Sequence, residues 1–204
     1  MGKRLFARAC VATVLAVTVL AAGVSVSRAQ AAGSQVSVPV ATVTGTVTLN
    51  GARFTGGKIP FGSTVDVTLG SVTMKSSVGT LRAAGTGRVT AAFKLLLTTF
   101  DGKPFVELRL AKGNFGVCPK TTTAGAGHAV TSKTVVRALW ANGTGDFQTR
   151  GRFAAATVRG THWLTDDRCD GTWTKVVAGV VAITNFVTQT TVAVPAGHTF
   201  LVKP

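Results

Sequence analysis

Apolar and polar residues alternate in short runs along most of the chain. In Ala41 to Leu49, Val43, Val47 and Leu49 sit between threonines, and that period of two marks a half-buried β-strand. Asn50-Gly51 follows, a hairpin signal because both residues tolerate positive φ. Thr55 to Pro60 reads as a loop. Val65, Val67 and Leu69 then point one way, Gly70 interrupts, and Val72 and Met74 resume the alternation, which predicts a tight hairpin or bulge. Val78 to Arg88 reads as a loop. Val89 to Phe100 has a helix-compatible centre, Ala91 to Leu97, but Asp101-Gly102-Lys103 turns it into the clean alternation of Val106, Leu108 and Leu110, so both are predicted strands. Glu107 and Arg109 would share the polar face there as a surface pair of little energetic weight. Residues 119–133 are mostly Thr, Ala, Gly and Ser around His128 and read as a mobile surface loop. Val135 to Trp140 and Phe147 to Arg152 are further strands, with turns at Asn142-Gly143 and Gly145-Asp146. Ala156 to Phe200 adds more short strands. Helix signals are nearly absent. The pattern predicts an all-β domain of many short strands, an antiparallel sandwich or a short solenoid-like domain.

The N-terminus departs from this pattern. Lys3, Arg4 and Arg8 precede an apolar run from Ala9 to Val26, and Ala29-Gln30-Ala31 supplies small residues for cleavage. Residues 1–31 therefore read as a signal peptide, residues 32–40 as a linker, and residues 41–204 as one domain. An uncut anchor is the alternative, and membrane contact is expected only in that case. Cys10 falls within the signal, which leaves Cys118 and Cys169. An even pair in an oxidising compartment predicts a disulfide. Two free thiols or a redox pair are the alternatives. With the four bases of residues 1–31 set aside, eighteen bases face seven acids, a net charge of +11. That excess favours anionic partners, although a basic solvated surface is the plainer account of it. An exported chain is not expected to bind nucleic acid.

Catalytic spacings are missing. His128, His162 and His198 show no metal-hydrolase spacing, and no Gly-x-Ser-x-Gly elbow occurs. Asp166, Asp167 and Asp170 form an acidic cluster around Arg168. Calcium ligation is one reading of it. The plainer reading is a turn in which aspartates accept backbone hydrogen bonds, Asp170-Gly171 closes a hairpin, and Arg168 and Arg159 pair with the acids. No metal and no cofactor are expected. A carboxylate pair joining Glu107 to one of these aspartates would suit glycoside hydrolysis, and a hydrolase is the weakest of three readings. Trp163 and Trp173 flank the cluster. With Arg159 they form a possible ligand surface, or they cover the core.

Val158-Arg159-Gly160-Thr161, then Val176-x-x-Gly179-x-Val181-x-Ile183, then Val194-Pro195-Ala196-Gly197 resemble the FecR-type domain, an extracytoplasmic all-β module. Gly62 to Val67 and Leu69 to Val72 resemble its earlier portion. Val67-x-x-Gly70-x-Val72-x-Met74 also echoes the template around Gly179, either as a duplicated hairpin or as a frequent β pattern. FecR-type regulators carry a cytoplasmic segment that binds a sigma factor. Only eight residues precede the apolar run here, so sigma-factor binding is not expected. The resemblance implies the outer module alone: an exported, non-catalytic domain for sensing, ligand binding or structural work at the cell envelope, with an unknown envelope protein as partner. A binding module for anionic or glycan wall polymers is the alternative.

Overall fold

The computed structural model describes residues 36–100, 102–119, 132–158 and 160–204. The expected signal peptide, His128 and Arg159 lie outside them, as does most of the expected loop at 119–133. The first strands are β1 (Val40–Leu49), the short β2 (Ala52–Arg53) and β3 (Gly57–Lys58), β4 (Thr64–Ser76) and β5 (Gly79–Ala84). Then come β6 (Ala92–Phe100), β7 (Lys103–Ala111), β8 (Val135–Gly145), β9 (Phe147–Arg150) and β10 (Ala154–Val158). The last are β11 (Thr161–Arg168), β12 (Gly171–Ala178), β13 (Val180–Asn185), β14 (Thr190–Pro195) and β15 (Thr199–Val202). A single 3-10 turn at Phe115–Val117 is the one helical element among the described residues.

All strands belong to one sheet, in the order β14-β13-β10-β9-β7-β6-β4-β5-β8-β11-β12-β15, with β1 laid along β4. The two end strands, β14 and β15, are consecutive in the chain, so the sheet is nearly closed. The all-β, antiparallel expectation holds in this form. Among named strands only β7 and β9 pair in parallel. Inward residues of each strand meet in one core, with Val67, Met74, Leu81, Phe93, Leu95, Leu108, Leu139, Phe147, Trp163, Val176 and Ile183 at its centre.

Two bent ribbons shape the sheet. In the first, β1 runs antiparallel to β4 and Gly45 faces Gly70. The Thr64–Asp66 end of β4 pairs with β6, whereas Ser71–Ser76 pairs with β5. In the second, β10 runs on into β11 and pairs with β13 and then, past the bend, β12. Gly160 and Gly179 mark that bend. Each ribbon thus crosses between the same two parts of the sheet, β6-β7-β9-β10-β13-β14 and β5-β8-β11-β12-β15.

The bends require glycine. Gly45 has φ +77 and Gly179 has φ +76, a region in which a β-carbon is strained. A β-carbon on Gly70 would stand 2.6 Å from the Thr44 carbonyl oxygen, and one on Gly179 2.6 Å from Thr161 Cγ2. The echo between the two templates is therefore structural. Ala41 faces Met74 and Val43 faces Val72, as Ala156 faces Ile183 and Val158 faces Val181.

Three expectations are corrected. Val78 to Arg88 contains a strand, β5, which β4 and β8 both pair. The chain does bend at Gly145-Asp146, between β8 and β9, but the turn signal at Asn142-Gly143 does not interrupt β8, which runs to Gly145. There, crowding selects the glycines: a β-carbon on Gly143 would stand 2.3 Å from the Thr80 carbonyl oxygen. Leu69 does not join Val65 and Val67 in the core but is 67% exposed, because the ribbon bends at the next residue.

Candidate functional site

The predicted bridge forms. Cys118, just after the 3-10 turn, is bonded to Cys169 in the β11–β12 turn. The residues that carry the FecR resemblance also meet. Val158 and Val181 are buried opposite each other. Gly160 and Thr161 lie against Gly179. Ala196 N–H donates to the Gly179 carbonyl and Gly197 N–H to the Val176 carbonyl, both at 2.9 Å. Three separate motif segments thus build one corner of the fold.

The acids are largely consumed by internal contacts. Asp166 and Asp167 are neighbours on β11 and point to opposite faces, which is the wrong arrangement for a shared cation. The Asp167 carboxylate is fully buried. It accepts from Arg137 Nε at 2.8 Å, from the Arg152 N–H at 2.9 Å and from the Thr172 hydroxyl at 2.6 Å. Asp170 takes a two-pronged contact from Arg168 at 2.8 and 2.6 Å, in the hairpin turn expected of it. Asp166 is buried with one carboxylate oxygen unpartnered among the described residues. Burial, with Asp167 adding and Arg168 opposing, raises its pKa to about 6.

Glu107 corrects the expected surface pair, because it is buried. The parallel register sets it beside Gln148, whose amide donates to it at 2.9 Å, while Arg109 Nε donates at 2.8 Å. Thr157 continues the row by donating to Gln148 at 3.0 Å. Glu107 is thus clamped within a satisfied network, and none of its described partners is an aspartate.

Trp163 is removed from the candidate ligand surface. It is 0% exposed and its indole N–H donates to Thr149 at 2.8 Å. Trp173 faces outward, half-buried, with the Arg168 guanidinium 5.9 Å from its ring centre. His198 is exposed beside the Ala196 carbonyl.

Sequence patterning missed an open polar surface. Thr73 faces Arg82, Arg82 faces Asn142, and Asn142 faces His162, directly opposed across β4, β5, β8 and β11. This outward row crosses a shallow groove of about 490 Å³, further lined by Thr80, Thr144, Gly160 and Thr161. The Thr161 hydroxyl is buried without a hydrogen-bond partner among the described residues. The His162 ring lies 5.0 Å from that of Trp140. No carboxylate lines this groove. A second hollow of about 400 Å³ shares Thr144 and Gly160 and adds Lys103 and Asp146. The row joins the β4–β5 hairpin to β8 and β11, which lie far apart from it in sequence, and one of those strands, β5, reads locally as a loop. No local signal announces the row.

Comparison with protein families, curated proteins and solved structures finds no match to this chain.

Proposed function

We propose that this protein is an exported, non-catalytic binding domain of FecR type that works at the cell envelope. The observation that carries this reading is the allocation of charge. The buried carboxylates of Glu107, Asp167 and Asp170 are held in ion pairs, positions that favour support of the fold over attack on a substrate. Arg53, Lys58, Lys75, Arg82, Lys94 and Lys175 remain exposed on the surface. A surface with this bias attracts anionic polymers of the wall. The Cys118–Cys169 disulfide fits an extracytoplasmic location. No helix among the described residues is long and apolar enough to cross a membrane.

The test is retention of the purified protein on isolated cell wall, at about 50 mM and about 500 mM salt. Retention at low salt that falls sharply at high salt is expected. Absence of retention at every ionic strength sinks the binding reading. Steady turnover of a wall substrate, lost in Glu107→Gln, overturns the non-catalytic one.

A further inference from the structure

We infer that the row Thr73, Arg82, Asn142 and His162 is a binding site for an acidic polysaccharide, a chain of sugars bearing carboxylate groups. The inference rests on the binding reading above and gives it a place and a ligand class.

Register supplies the shape. Four residues opposed on four neighbouring strands span about 14 Å at the ordinary strand spacing. The groove they cross is shallow, which suits a polymer lying across the sheet better than a small molecule engulfed by it.

Charge supplies the anion contact. Arg109, Arg137, Arg150 and Arg168 each lie against a carboxylate of this chain. Arg82 is exposed, and its described side-chain hydrogen bond goes to the Ser71 hydroxyl at 3.0 Å. Its remaining donors are left for an external oxyanion, and guanidinium geometry matches a carboxylate with two parallel bonds. Lys75 lies beside the row, opposite Thr80.

The neutral groups point to sugar rather than to a bare anion. Thr73, Thr80, Thr144 and Asn142 offer donors and acceptors together, and sugar hydroxyls need both. The Trp140–His162 ring pair closes one end of the row with an aromatic surface.

The test is calorimetric titration of the full protein with oligogalacturonate, a neutral oligoglucose of equal length, and polyphosphate. Oligogalacturonate is expected to bind, the neutral oligomer not to bind, and polyphosphate to bind more weakly. Arg82→Gln is expected to weaken oligogalacturonate about tenfold, and Asn142→Ala to weaken it as well. Arg53→Gln removes the same charge outside the groove and is expected to change little. All three variants alter exposed side chains, and thermal melts verify that they fold. Polyphosphate binding as tight as oligogalacturonate, with Asn142→Ala silent, overturns the sugar assignment. Equal loss in Arg53→Gln and Arg82→Gln overturns the site, as does no binding of oligogalacturonate. Wall retention that survives Arg82→Gln sinks the site and leaves the binding reading standing. Absent retention of the unaltered protein sinks that reading, while the titration still decides the site.

Discussion

Asp166 is the residue at which charge and burial conflict most directly. It sits outward on β11 between Ala138 and Trp173, yet it is only 6% exposed. Its carboxyl titrates at about 6 in the fold against 3.8 for the ordinary group. Protonation therefore stabilises the fold. That contribution is complete below about pH 4 and is lost as pH rises through about 6. Asp166→Asn is expected to match the parent near pH 4 and to exceed it by about 1–2 kcal/mol at pH 7, a range reduced for partial solvation. Urea unfolding at both pH values reads this, and identical curves at pH 7 refute it. At this scale the sequence was only partly informative. Arg168 two residues before Asp170 suggested their pairing. Nothing local to Glu107 announced its burial, because its depth depends on Gln148, 41 residues away and laid beside it by a parallel pairing.

At the scale of elements, the two bent ribbons explain why the glycine templates repeat. Ala41-Thr42-Val43-x-Gly45-Thr46 also matches Ala156-Thr157-Val158-x-Gly160-Thr161, a second echo that local strand reading passed over. Both arms of each ribbon therefore share a pattern and a register, which makes them two copies of one structural unit. Gly179→Ala places a β-carbon against Thr161 and the Gly160 carbonyl at positive φ. It is expected to cost about 3 kcal/mol. Gly70→Ala meets the carbonyls of Thr44 and Thr46 and is expected to cost a similar amount. Chemical denaturation of the two variants measures both. A near-neutral result at either bend removes the argument that close backbone approach selects glycine there. Long strands were harder to read. In β8, glycines that signal turns in isolation are selected by crowding between neighbouring strands.

For the whole molecule, the disulfide joins segments 51 residues apart. It ties the chain beside the 3-10 turn to the β11–β12 hairpin. On chain-entropy grounds it contributes about 4 kcal/mol. The double replacement Cys118→Ser with Cys169→Ser is expected to lower Tm by about 10 °C without changing far-ultraviolet circular dichroism at room temperature. A Tm within a degree of the parent would show that the surrounding sheet holds these segments unaided. The sequence by itself determined the strand-rich class, the positions of most strands, the paired cysteines and the glycines at the bends. Each of these is written in a local period, a residue count or a turn-forming residue. Only the tertiary structure decided that the strands make one nearly closed sheet, that Trp163 and Glu107 are buried, and that Arg82, Asn142 and His162 form a row. Those outcomes depend on which strands become neighbours, and strand pairing joins residues that no local pattern relates.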